Sequence, residues 1–108
     1  MIKISIDEQP SGRINSFEMK GHADFAEHGK DLVCAGASAV SFGAVNAVIA
    51  LTGITPDIRQ GSDGGYLKVN FPVTEKDEEI QLIVKAMIVS LQTIEQDYGQ
   101  HIKLIFNR

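Results

Sequence analysis

From Leu32 to Ile54 the chain carries no charged side chain. A run of that length and character must either cross a membrane or become the element around which the rest folds. It is interrupted by Ser38, Ser41, Asn46 and Thr52 and built largely of alanine and glycine, so a buried helix of a soluble protein is the better reading. Asp31 stands where an N-cap belongs and Gly53 where a helix stops, which predicts a helix over Leu32–Thr52. Because Ala35, Ala37, Ala39, Ala44, Ala47 and Ala50 surround the axis together with Val and Ile, the helix is apolar nearly all round, and cover on several sides is expected.

The remaining segments arrange themselves about this helix. Ile2, Ile4 and Ile6 alternate with Lys3, Ser5 and Asp7, the period of a half-buried strand. Gln9-Pro10-Ser11-Gly12 supplies a turn, and Arg13 to Lys20 returns with Asn15, Phe17 and Met19 on one face. Gly21 to Asp31 reads as a polar loop. Beyond the first helix, Ile54 to Gln60 is a short strand that Pro56 places at a sheet edge or a strand start, and the glycine-rich turn Gly61 to Gly65 leads to a strand over Tyr66–Phe71. Ile80, Val84, Met87, Leu91, Ile94 and Tyr98 recur at steps of four and three, predicting a helix over Thr74–Tyr98 that opens with a Thr74/Asp77 capping box and closes at Gly99. A final strand runs from His101 to Phe106. The order β-β-α-β-β-α-β implies one two-layer α+β domain over residues 1–108, with a mostly antiparallel five-stranded sheet and two helices. Together the helices offer more apolar surface than one small sheet covers, so a homodimer is expected.

Fourteen acidic against ten basic residues leave a net charge of −4, the wrong sign for a protein held by phosphate backbones. Direct nucleic-acid binding is therefore not expected, whereas a basic polypeptide is an electrostatically suitable partner. The single cysteine, Cys34, excludes an intramolecular disulfide and a multi-thiolate zinc site and fits a reducing compartment. The alternating N-terminus lacks the pattern of a signal peptide, so a cytoplasmic location is expected.

Chemistry concentrates between Gly21 and Ser38. With Asp31 as N-cap, Cys34 falls in the first helical turn, whose free N–H groups and dipole favour a thiolate and could hold an oxyanion. His22, directly after the second strand, is the better candidate for a base; His28 lies in mid-loop, and His101 has no local company that suggests chemistry. Ser38, one helical turn from Cys34, either hydrogen-bonds the site or eases helix packing, and Ser41 follows on the same face. Asp31 is divided between capping and orienting His22 as a third catalytic member. A free cysteine at the edge of an Ala-rich helix is more often a small buried hydrophobe, and a metal site from His22, Asp24, His28 and Asp31 is a weaker alternative without helical ligand spacing.

Three segments, Gly21-His22-Ala23, Asp31-Leu32-Val33-Cys34-Ala35-Gly36-Ala37-Ser38-Ala39-Val40 and Leu91-Gln92-Thr93-Ile94-Glu95, closely resemble the ribosomal-processing cysteine protease family known as Prp. The likeness runs over essentially the whole chain. It implies a homodimeric endopeptidase, without metal or cofactor, that removes the N-terminal extension of large-subunit ribosomal protein twenty-seven by cutting after a Phe-containing motif. Carried over by motif, Cys34 is the nucleophile and His22 its proton acceptor, with Asp31 and Ser38 on the family's other polar positions and residues 23–30 as a mobile loop. The rival readings are a non-catalytic ribosome-assembly factor that binds the same client and, more weakly, a thiol redox sensor.

Overall fold

Strand β1 (Ile2–Glu8) buries Ile2, Ile4 and Ile6 and turns Lys3 and Asp7 to solvent, as the alternation requires. The structure, a computed structural model, describes residues 1–27, 30–62 and 64–108. β1 pairs antiparallel with β2 (Ile14–Lys20), with Ile4 opposite Met19, Ile6 opposite Phe17 and Asp7 opposite Ser16, after which Glu8 faces Ile14. Asn15 is thus an extra residue on β2, a bulge that breaks the strict alternation. The expected face of Asn15, Phe17 and Met19 is therefore only partly realised: Phe17 and Met19 enter the core, Ile14 joins them, and Asn15 stays half-buried. Its side-chain oxygen accepts from Gln9 Nε2 at 2.7 Å and Arg13 Nη1 at 2.9 Å.

β3 (Asp57–Gln60) and β4 (Tyr66–Asn70) form the second hairpin, and the sheet order is β3-β4-β2-β1-β5. β3 is shorter than the expected Ile54–Gln60 because the ladder begins only after Pro56, which has no N–H to give. Within the turn between these strands Asp63 lies outside the described residues. β5 (Ile102–Asn107) runs parallel to β1, so the sheet is mixed but mostly antiparallel. One face of it, with Ile2, Ile4, Ile6, Phe17, Leu67, Val69 and Ile102, shares a single core with both helices.

Helix α1 (Leu32–Thr52) has the predicted bounds, with Gly53 at φ 75° donating to the Ile49 carbonyl oxygen at its end. Its burial differs from the expectation. Val33, Ala37, Ser41, Val45 and Val48 form one buried stripe, while Leu32 and Leu51 are 71% and 76% exposed. Two helices side by side on one sheet face touch along one stripe each, so Leu32 and Leu51 on the outer side of α1 have little cover among the described residues.

Helix α2 (Asp77–Tyr98) starts three residues later than Thr74, and the expected capping box is not formed. Thr74 instead closes a turn ahead of the helix, its hydroxyl accepting from Lys76 N–H and its carbonyl from Asp77 N–H. The Asp77 carboxylate is held elsewhere, in a two-pronged pair with Arg13 at 2.9 and 3.1 Å. The stripe Ile80, Val84, Met87, Leu91 is buried as expected, and Gln81 is buried with it. Gln81 repairs the bulge: its side chain accepts from Ile14 N–H at 2.7 Å and donates to the Ile14 carbonyl at 2.9 Å. Gly99 follows α2 in right-handed rather than left-handed geometry. We expect Gln81→Leu, which fits the apolar stripe but strands both Ile14 backbone groups, to destabilise the protein by about 2–4 kcal/mol in urea unfolding. A loss under about 0.5 kcal/mol would show that water satisfies Ile14 instead.

Candidate active site

The site begins at the end of β2, where the chain must turn sharply. Gly21 sits at φ 95°, its N–H donates to the Gly65 carbonyl at 3.0 Å, and a Cβ there would press on the Met1 carbonyl oxygen. Only glycine fits this position. The turn delivers His22, an exposed residue, to the rim of a cleft of about 480 Å³ that Cys34 also lines.

Asp31 organises the opposite wall. It caps α1 from extended geometry, φ −86° and ψ 106°, and its Oδ1 accepts from Val33 N–H and Cys34 N–H, both at 3.0 Å. Oδ2 reaches back into the loop and accepts from Phe25 N–H at 2.9 Å and Ala26 N–H at 3.3 Å. Burial opposes the charge of this carboxylate, but the N–H groups of Cys34, Phe25, Ala26 and Val33 outweigh it and hold its pKa below the ordinary value. Between its two sequence-based roles, capping has the clear geometric support, because both oxygens are engaged by backbone donors.

Cys34 is half-buried, and its Sγ accepts from Ala23 N–H at 3.2 Å. The expectation that the helix terminus acidifies this thiol is not met. Burial pushes the Cys34 thiol up, the charges of Asp31 and Asp24 add to the rise, and only the Ala23 N–H pulls it down. Burial is the larger reason, and the cap adds to it: the first-turn donors of Val33 and Cys34 face a carboxylate, and Ala35 N–H bonds the Asp31 carbonyl. Those N–H groups are for the same reason not free to hold an oxyanion.

Ser38 is exposed at the cleft, one turn along from Cys34, so of its two readings the one facing the site fits its position. Ser41 lies deeper, fully buried, its hydroxyl against Met19 Sδ at 3.7 Å. Of the alternative metal ligands, Asp31 spends its oxygens on backbone donors, Asp24 faces the terminal ammonium at 3.3 Å, and His28 lies outside the described residues.

Sequence reasoning missed part of the site. Met19, Phe42 and Leu67 give the cleft an apolar floor, and Gly64, Gly65 and Tyr66 bring the β3–β4 turn to its edge. The strand pattern carries no signal that this distant turn pairs beside the end of β2, where Gly21 N–H meets the Gly65 carbonyl. His101, set aside for want of neighbours in sequence, contacts the loop directly: its Nδ1 lies 2.9 Å from the Ala23 carbonyl oxygen.

A lone thiol at the head of a helix, sharing an apolar-floored cleft with a histidine, defines a candidate cysteine hydrolase. The sequence profile of the family described as Cysteine protease Prp matches residues 1–103, and the chain belongs to that family. It is 51% identical to the ribosomal processing cysteine protease Prp of Bacillus subtilis (strain 168), over 99% of this chain and 98% of that protein. The Staphylococcus aureus (strain Mu50) protein of the same name is 48% identical, over 96% and 97% of the two chains. Among solved structures, the S. aureus essential ribosomal processing protease Prp with a covalently linked product peptide superimposes with a TM-score of 0.94 at 47% identity, covering 99% of this chain and all of that one. The same S. aureus protease with a substrate peptide gives 0.86 at 45% identity, over 99% of this chain. This chain is thus a cysteine protease of the ribosomal-processing type, not the non-catalytic binder that the sequence left open.

The opposed shifts of Asp31 and Cys34 give a double expectation for Asp31→Asn. The folded aspartate has a lowered pKa, so its contribution to stability is complete above the ordinary aspartate value of about 4 and is lost as pH falls through the lower folded value. In urea unfolding the variant should be less stable at neutral pH, and the gap should close as the solution is acidified below about pH 4. Its thiol, relieved of the neighbouring charge, should react faster with iodoacetamide at neutral pH. A stability gap that is unchanged in strong acid would mean that the carboxylate charge is not what holds loop to helix.

Proposed function

We propose that this chain removes the N-terminal extension of large-subunit ribosomal protein twenty-seven through a Cys34–His22 thiolate mechanism. The supporting observation is that both side chains line one cleft while the resting thiol is pushed up in pKa. A thiol so disfavoured as an anion needs a base when substrate binds. His22 takes the Sγ proton, and the sulfur attacks the scissile carbonyl carbon to give a tetrahedral oxyanion. Collapse breaks the C–N bond, the amine leaves with the proton held by His22, and the extension stays on Cys34 as a thioester. Water, deprotonated by His22, then adds to the thioester carbonyl and releases the extension as a carboxylic acid with the thiol restored. Asp31 supports this chemistry by fixing the head of α1 and the loop, and Ser38 by presenting a hydroxyl one turn from the sulfur. The apolar floor of Met19, Phe42 and Leu67 suits the Phe of the cleavage motif.

Location and assembly follow the same reading. The enzyme works in the cytoplasm, where its client is made, and needs no cofactor, nucleic acid or membrane. It acts as a homodimer, which would cover the exposed apolar side of α1 around Leu32 and Leu51. The acidic balance of −4 favours encounter with a basic ribosomal protein.

Mass spectrometry of the extended ribosomal protein after mixing with the purified chain is the deciding experiment. Wild type should shorten it at a single bond. Cys34→Ala should leave the client intact, and His22→Ala should lower kcat by roughly 10²–10⁴-fold. Client that stays full-length with wild type, or cleavage that persists in Cys34→Ala, contradicts the reading. Two further outcomes are expected: kcat/KM falls as salt rises from about 0.05 to 0.5 M, and light scattering gives twice the mass of one chain.

A further inference from the structure

His101 stands on the turn between α2 and β5, far from Cys34 in sequence, and its backbone is locked at both ends. Its N–H donates to the Tyr98 carbonyl at 2.8 Å and its carbonyl accepts from Ile2 N–H at 2.9 Å. A ring mounted this way has little freedom to follow the loop, so the loop is placed against it. The Ala23 carbonyl can only accept, so the nitrogen 2.9 Å away, Nδ1, carries the hydrogen and donates it. Two residues on, the Phe25 ring stands edge-on to His101 at 5.3 Å and to Tyr98 at 5.5 Å. Ala23 itself is 1% exposed, and its N–H points to Cys34 Sγ at 3.2 Å. The two polar groups of Ala23 thus join a fixed imidazole to the reacting sulfur. The N–H and the carbonyl belong to successive peptide planes joined at the Ala23 Cα, so holding the carbonyl on His101 fixes the residue whose N–H donates to the sulfur.

We propose that His101 is a positioning residue for the nucleophile, fixing through Ala23 the hydrogen bond that the Ala23 N–H donates to Cys34 Sγ. The proposal rests on the reading of Cys34 as nucleophile. It does not require His101 to touch substrate or to change its charge during turnover.

The test compares His101→Leu, which removes the donor, with His101→Asn, whose side-chain N–H can stand where Nδ1–H stood. The readout is the pH dependence of Cys34 alkylation by iodoacetamide in the full-length protein without substrate. His22, Asp24 and Asp31 line the same cleft and are common to all variants, so differences report on position 101. The Leu variant should need higher pH to react, be alkylated about 3–10-fold more slowly at neutral pH, and lose kcat in proportion with KM little changed. His101→Asn should stay within about twofold of wild type. A folded Leu variant with the wild-type profile, or with one shifted to lower pH, overturns the proposal, and so does an Asn variant as impaired as Leu. Should the Leu variant not fold, the wild-type imidazole ¹⁵N shifts decide: hydrogen on Nδ1 supports the link, and hydrogen on Nε2 alone overturns it. Alkylation needs no proteolysis, so cleavage that persists in Cys34→Ala would sink the nucleophile reading separately.

Discussion

One carboxylate ties the loop after β2 to the head of α1. Asp31 accepts four backbone N–H groups, Val33 and Cys34 ahead of it and Phe25 and Ala26 behind it. A loop returning from a strand to a helix otherwise leaves such donors to water, and the conformations it then samples would scatter the cleft wall. With the donors gathered on one buried anion, the path of residues 23–26 and the start of α1 become a single unit. The rest of the site depends on it: the thiol's height above the first turn, the approach of Ala23 to the sulfur and the seating of Phe25 between Tyr98 and His101.

Burial first, and the same carboxylate after it, set the electrostatics against easy ionisation of Cys34. A helix N-terminus favours an anion through its exposed N–H groups, but here those groups already face one, and a second negative charge beside it is penalised. Both effects favour the protonated form of the sulfur. For an enzyme that shares its compartment with many polypeptides, that is a consistent arrangement. In the proposed mechanism a bound substrate excludes water and brings the base into play, which ties peptide cleavage to occupancy of the cleft.

Much of this was legible in the sequence, and what was not had physical causes. The order of elements, the bounds of α1 and the juxtaposition of His22 with Cys34 followed from periodicity, caps and a family likeness, because each is encoded within a few neighbouring residues. The bulge at Asn15 was not legible, since it is fixed by Gln81 from a helix far along the chain. Asp77 looked like a capping residue and became the partner of Arg13, since a two-pronged ion pair outcompetes a cap that threonine can satisfy by closing a turn. The acidification expected of Cys34 failed for a related reason. The rule for a bare, solvated helix end was applied where the thiol is partly buried and the capping side chain is itself charged.

The exposed side of α1 links the proposed assembly to the proposed chemistry. Leu32 is 71% exposed and lies within the first turn, two residues before Cys34, whereas Leu51 occupies the far end of the same helix. A partner that covers this apolar side would run the length of α1 and reach the end that carries Cys34. Burial of Leu32 there would restrain the first turn from outside, as Asp31 restrains it from within. The small residues on that side, Ala39 and Ala50, allow close approach without large side chains to reorder, so contact can be made with little loss of side-chain entropy. The uncharged run from Leu32 to Ile54 then has a reason in two places at once: one stripe completes the core, and the other suits a second copy beside the site.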